Sequence, residues 1–441
     1  MKLTANVLAI ILLVTSATSA GQRTASRTQT GARGLSSEKE RWSNMKQRFA
    51  KYSDFLSGNT WALIHNYESK ADMERSVALF QKIDVAIAKD DPAAMKAFEG
   101  PNGFNAQLVR LLNSKDDTIS AFAASLLAVL GDLRYAPQIA LLLDRKGDLD
   151  GEGSPPVTIR GRAASALGIL GAKQYTERLA KMLKSQNDFD RAGATVALGH
   201  LKATNYAGEI AALLSRENSA RGDDDDSPIE ALIEMGIAGN YRNEIASVVG
   251  DQFSSDRSTA AVYALAHLRA REFAKNIAAL LSFKYRKGEA AKALALMGAE
   301  AYAGEIALLL KDESGLVRKD AALSLGILHA RQFAPHIANL LNDPEEYVRY
   351  DAAVALVLMD ANDFAGKVVP LIEKTHQSGV SFNVGDLHHL VREEFLVLDQ
   401  DFRAKLAQMK AGKGVTANRL ELPAAPEAYF PRLVPALAHQ W

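Results

Sequence analysis

Apolar residues through the middle of the chain fall on a helical spacing that restarts about every 31 residues. In the clearest half of the unit an aromatic stands at position 0, Ile or Leu at +4, and Leu at +7 and +8, as in Tyr302-Ala-Gly-Glu-Ile-Ala-Leu-Leu-Leu310. Those positions share one face of a 3.6-residue helix. Nine copies open at Phe104, Tyr135, Tyr175, Tyr206, Tyr241, Phe273, Tyr302, Phe333 and Phe364, at intervals of 31, 40, 31, 35, 32, 29, 31 and 31 residues. A first helix precedes each aromatic and reads Ala-Ala-x-x-Leu-Gly-x-Leu, as in Ala163-Ala-Ser-Ala-Leu-Gly-Ile-Leu170 and Ala321-Ala-Leu-Ser-Leu-Gly-Ile-Leu328. Six of the nine copies carry Ala directly after the aromatic, small enough for helix backbones to approach closely. Period-2 runs are absent and Ala and Leu dominate over Val and Ile, which excludes a sheet. The period predicts an all-α fold, an α-solenoid: a superhelix of antiparallel helix pairs burying apolar faces against their neighbours.

The ends of such an array expose apolar flanks unless covered, so helical N- and C-terminal caps are expected. With the array over residues 100–373, residues 36–99 read as the N-terminal helical cap, and 374–441 as a C-terminal helical cap and tail. All three tryptophans, Trp42, Trp61 and Trp441, lie in these ends. A longer helix is expected over 380–411. At the start of the chain, Lys2, the apolar run Val7 to Val14 and Thr18-Ser19-Ala20 form the pattern of a signal peptide over 1–20. That run is too short to span a bilayer, which takes roughly 20 apolar residues. Residues 21–35 place Arg23, Arg27 and Arg33 among Ser, Thr and Gly, a composition expected of a disordered linker. The chain has no Cys, so neither disulfides nor thiol chemistry are available to it. An exported protein, periplasmic or extracellular and without an integral membrane span after signal cleavage, is the expectation.

Lys plus Arg equals Asp plus Glu at 52 each, so no net field favours nucleic acid. The segments Leu316-Val-Arg-Lys-Asp-Ala-Ala-Leu-Ser-Leu-Gly-Ile-Leu328 and Tyr347-Val-Arg-Tyr-Asp-Ala-Ala-Val-Ala-Leu-Val-Leu-Met359 resemble the short HEAT-like repeats of phycobilisome-lyase-like proteins. The resemblance covers roughly 104–373 and implies a curved superhelix whose second helices line the concave side. It is specific for fold and says little of activity. The His-Glu dipeptides that build the di-iron site of deoxyhypusine hydroxylase, an enzyme of related repeats, are absent.

Position +3 of the second helices should point away from the buried stripe. Along the array it reads Gln107, Gln138, Arg178, Glu209, Glu244, Asn276, Glu305, His336 and Lys367, with an acidic middle. Polar groups at stacked intervals suit an extended polypeptide, although any solvent-facing helix position is polar. The two long intervals put rim loops at Asp148, Asp150 and Glu152 and at Arg221, Asp223 and Asp224. Asp148-x-Asp150-Gly151 is similar to the start of a calcium loop. Setting Asp148 at position 3, however, leaves Lys146 at position 1 and Val157 at position 12, so this is no EF-hand. Asp223 to Asp226 suit a weakly held cation or plain solvation. Arg160, Arg191, Lys287, Arg318 and Arg349 recur fifteen residues before the aromatics, a register that suggests inter-repeat ion pairs or caps. His200 and His267 stand at equivalent points of first helices. Asp386, His388, His389 and Glu393 have metal-ligand types but too few convergent groups for zinc.

No Gly-rich phosphate loop, G-x-S-x-G elbow or H-E-x-x-H motif is present. The expected function is therefore a non-enzymatic protein-binding scaffold of the cell envelope or exterior, with no cofactor and a protein partner. Two alternatives compete with it. One is a small-molecule-binding or lyase-like enzyme resembling phycobilin lyases, and the other a cation-dependent surface adhesin.

Overall fold

A computed structural model describes residues 38–52, 55–56, 60, 63, 70–88, 96–145, 158–215, 225–250, 256–377 and 391–412. Among these residues there are twenty α-helices and no strand. The chain divides into two compact units, Met1–Tyr206 with Arg432–Trp441, and Ala207–Pro431.

In the first unit α1 (Glu38–Lys51) and α2 (Lys70–Ala88) precede α3 (Phe104–Leu112), α4 (Asp117–Leu130), α5 (Ala136–Leu141), α6 (Ile159–Leu170), α7 (Thr176–Met182) and α8 (Asp188–His200). The first helices α4, α6 and α8 stack side by side. Asp116, Thr158 and Asn187 begin them, and each side chain accepts hydrogen bonds from backbone N–H groups of the first turn. In the second unit the first helices are α10 (Ser227–Glu234), α12 (Asp256–His267), α14 (Lys287–Leu296), α16 (Gly315–Ile327) and α18 (Glu346–Leu358), again stacked in order. Between them run the second helices α9 (Ala207–Ala212), α11 (Arg242–Ser247), α13 (Ala274–Ala279), α15 (Ala303–Leu308) and α17 (Ala334–Asn339). The unit closes with α19 (Ala365–Gln377) and α20 (Arg392–Lys410), which lies within the helix expected over 380–411.

First helices are buried nearly all round rather than along one stripe. Every residue from Ala352 to Leu358 of α18 is buried, because the helix is sandwiched between its neighbours. Small residues set the spacing. A Cβ on Gly168 would lie 2.4 Å from the Ala197 Cα, and one on Gly326 2.7 Å from the Ala355 Cα. The closest approach thus falls between first helices, not only at the Ala after each aromatic. The aromatic itself is half-buried. From Tyr135 onward it ends a 3-10 turn, as in Glu300–Tyr302, and the alanine after it enters the core, with Ala136, Ala207, Ala274, Ala303 and Ala334 all buried.

The recurring cations stitch neighbouring repeats, as their register suggests. Arg160 pairs with Asp190 at 3.2 Å, Lys287 with Asp312 at 2.6 Å, and Arg318 with Asp343 at 2.8 Å. Arg191 instead pairs within its own helix, with Asp188. Asp320, two residues after Arg318, takes Lys292 of the preceding repeat at 3.2 Å.

Terminal helices close each unit at the C-terminal ends of the first helices. In the first unit, Arg48 of α1 donates to Ala128 O (2.6 Å), Val129 O (3.0 Å) and Ile169 O (2.9 Å), capping α4 and α6 together. Trp42 is buried against Phe98, with ring centroids 6.2 Å apart. In the second unit, the buried Lys405 of α20 donates to Leu358 O at 2.7 Å and pairs with Asp360 at 3.4 Å and Asp401 at 3.3 Å.

Candidate functional site

The two units present separate stretches of the predicted polar ladder. In the first, Gln107 is half-buried, its amide donating to Asn102 O at 2.9 Å. Gln138 is exposed and turns its amide NH2 onto Arg134 O at 3.1 Å. Arg178 is engaged by Asp144 at 2.6 Å. In the second unit Glu209, Glu244, Asn276, Glu305, His336 and Lys367 are all exposed. His336 rests edge-on against Phe333, with centroids 6.2 Å apart. Short second helices place them there: +1 and +4 bury against the first helices, so +2, +3 and +6 face outward. Carboxylates lead this stretch, and an imidazole and an ammonium follow.

The rim residues Asp148, Asp150, Glu152, Arg221, Asp223 and Asp224 lie outside the described residues, as do Asp386, His388 and His389 and the side chain of Glu393. The two remaining aspartates of the second rim loop have structural environments. Asp225 accepts from Ser227 N at 3.2 Å and Ser227 Oγ at 2.6 Å. Asp226 is buried, and burial, then the charges of Glu230, Asp225 and Asp256, push its carboxyl well above the usual range. Among the described residues no group of three or more His, Asp or Glu is arranged to hold a metal ion.

Three sets of residues escaped the periodicity. His200 and His267 meet the terminal helices: His200 stacks edge-on with Tyr52 (5.9 Å), and His267 Nδ1 lies 2.5 Å from Glu394 Oε1. Their shared register was visible, but their partners stand 148 and 127 positions away. A buried polar seam crosses the second unit. Arg286, fully buried, donates to Glu289 at 2.7 Å and to Ser258 Oγ at 3.1 Å. Beside it burial raises the Tyr263 hydroxyl to about 12. Burial works against the Lys292 ammonium, yet Tyr263 and Asp320 hold its pKa above the ordinary lysine value. The third set is apolar and exposed: Tyr285, Leu316 and Tyr347 stand seventeen residues before Tyr302, Phe333 and Phe364. The same register holds Thr118, Thr158 and Phe189 in the first unit.

Residues 273–357 match the family of HEAT repeats. No curated protein matches the chain. Among solved structures similar to it is the complex of CpcE and CpcF of phycocyanin lyase from Nostoc sp., with 19% identity over 63% of this chain and 97% of that one and a TM-score of 0.28. Human deoxyhypusine hydroxylase in complex with glycerol gives 17% identity over 72% and 98%, with a TM-score of 0.25. The karyopherin Kap121p bound to the extreme C-terminus of the protein phosphatase Cdc14p gives 12% over 84% of this chain and 53% of that chain, with a TM-score of 0.34. At these values none carries an activity across. The chain is a helical-repeat protein, all-α in its described residues, and it matches HEAT repeats over residues 273–357. None of its described helices is long and apolar enough to cross a membrane.

Proposed function

We propose that this protein is an exported, non-enzymatic scaffold that binds another protein through the outward face of its second helices. One observation carries the reading. From Glu209 to Lys367 the +3 side chains are exposed in six consecutive repeats, whereas Lys287 and Arg318 of the first helices are engaged in inter-repeat pairs. A rigid array of helices loses little conformational freedom on association, so few contacts per repeat suffice. The leader-like N-terminus supports export.

The test uses the full chain immobilised beside the triple charge reversal Glu209→Lys, Glu244→Lys and Glu305→Lys. A protein captured by the first and lost from the second, with helicity unchanged, supports this surface. Equal capture by both overturns it. For export, N-terminal sequencing of the secreted protein should begin at Gly21; retention inside the cell with Met1 intact contradicts it.

A further inference from the structure

We infer that Asn102 is a site of spontaneous covalent modification. The backbone nitrogen of Gly103 attacks the side-chain amide carbon of Asn102, ammonia leaves, and water opens the resulting succinimide to aspartate or isoaspartate. The net change is amide plus water to carboxylate plus ammonium, with no oxidant or reductant. Asn is followed by Gly at this one place in the chain. The dipeptide lies at the start of the array, in the turn over 100–103 that leads into α3. Asn102 is exposed, and among the described residues no group hydrogen-bonds its side-chain amide.

The fold itself requires the glycine. A Cβ on Gly103 would stand 2.2 Å from Glu99 O and 2.7 Å from Glu99 C, and backbone cannot withdraw as a flexible side chain could. The residue that fits is also the one whose nitrogen is least shielded, because no side chain stands beside it. One contact opposes the attack: Gly103 N donates to Gly100 O. At 3.2 Å that bond is at the long end of its range, and it closes a turn at a helix terminus, where local opening costs least. Asn105, three residues on, is placed the other way, inside α3 with its side-chain oxygen buried and Ala106 after it.

The two products act on α3 in opposite directions. Gly103 caps the helix without a side-chain bond, and the first turn has no acid. Aspartate at position 102 adds a carboxylate where the helix dipole favours one. Isoaspartate instead reroutes the backbone through the side chain and lengthens it. That displaces the anchors of the turn: Gln107 Nε2 on Asn102 O at 2.9 Å, Arg110 Nη1 on Pro101 O at 3.2 Å, and Gln107 N on Gly103 O at 3.1 Å.

The test is a time course on the full, folded chain at physiological temperature, at pH 6 and at pH 8, with an unincubated sample as baseline. Trypsin, cutting after Lys96 and Arg110, releases one peptide that carries both Asn102 and Asn105, so the second asparagine is an internal control. Tandem mass spectrometry reads each position. Conversion at Asn102 should exceed that at Asn105 at least about tenfold. It should run faster at pH 8, since the attacking nitrogen must lose its proton, and isoaspartate should be the larger product. Asn102→Gln, which can close only a larger ring, should abolish it. Equal conversion at the two asparagines, none in the folded chain, or conversion only after unfolding in urea overturns the inference. The isoaspartate fraction, separated by ion exchange, should show faster amide exchange in α3 than the unmodified chain, and Asn102→Asp should not. Unchanged exchange in that fraction overturns the effect on the helix.

Discussion

Single residues set the pH behaviour of the second unit. Burial raises the Asp351 carboxyl to about 7; Lys319 pulls it down and Asp320 pushes it up. An unfolded aspartate titrates near 3.9. Between about pH 4 and pH 7 the folded state therefore holds a proton that the unfolded chain has released, and stability falls as pH rises through that window. Asp226, also raised, adds with the same sign. Asp312 and Asp343 act oppositely. Burial works against Asp312, but the Lys287 hydrogen bond holds it below the ordinary value, and the Arg318 hydrogen bond lowers Asp343. Their stabilisation is complete above the unfolded value and is lost only in stronger acid. Urea midpoints should accordingly be higher at pH 5 than at pH 8. Asp351→Asn should remove much of that difference and gain about 1–2 kcal/mol at pH 8; an unchanged pH slope in the variant would refute the assignment. Periodicity made the exposed Glu209 and Glu305 legible, but not this. Arg286 sits in a polar sequence context, Phe283-Lys-Tyr-Arg-Lys-Gly288, yet is fully buried, and no spacing marks Asp351 as the carboxyl whose surroundings shift it.

Helix contacts explain what glycine and the long cations are for. Gly326 on α16 faces the Ala355 backbone, so Gly326→Ala should push α16 and α18 apart and cost about 2–3 kcal/mol. Gly304 on α15 meets nothing within 4 Å, and Gly304→Ala should be neutral or stabilising by about 0.5 kcal/mol, mainly through helix propensity. Thermal melts of the two variants check the contrast. The terminal helices depend on a few buried donors. At Gly131, left-handed at φ 84°, a Cβ would meet Arg48 Nε at 2.6 Å, so the turn is shaped for the guanidinium that caps α4 and α6. At the matching turn after α18 a non-glycine, Asp360, accepts the left-handed conformation (φ 56°) and pairs with Lys405. Lys405→Met should cost about 2–4 kcal/mol, because it strips a buried cation from Asp360, Asp401 and the Leu358 carbonyl. Hydrogen exchange should then rise first in α20. The repeating arginines announced their partners through a shared register. Arg48 occurs once and reaches carbonyls up to 121 positions away, so no spacing in the sequence points to it.

At the scale of the molecule, the period alone carried the fold class, since a restart every 31 residues leaves little but stacked helix pairs. It did not reveal that the described repeats fall into two compact units, because the aromatic, alanine and leucine pattern continues through Tyr206 and Ala207 without a break. In stacked repeats each helix pair owes its stability to its immediate neighbours, so damage should spread by proximity in the stack rather than through one global core. Gly168 and Gly326 offer matched probes: each lies at the same point of a first helix, each faces an alanine backbone, and they stand in different units. Gly168→Ala should accelerate amide exchange first in α6 and α8, leaving α16 and α18 near wild-type protection, and Gly326→Ala should do the reverse. Peptide-resolved exchange under native conditions separates the two patterns. Equal acceleration in both units from either substitution would mean that the chain unfolds as a single cooperative body, and that the neighbour-by-neighbour account of its stability is wrong.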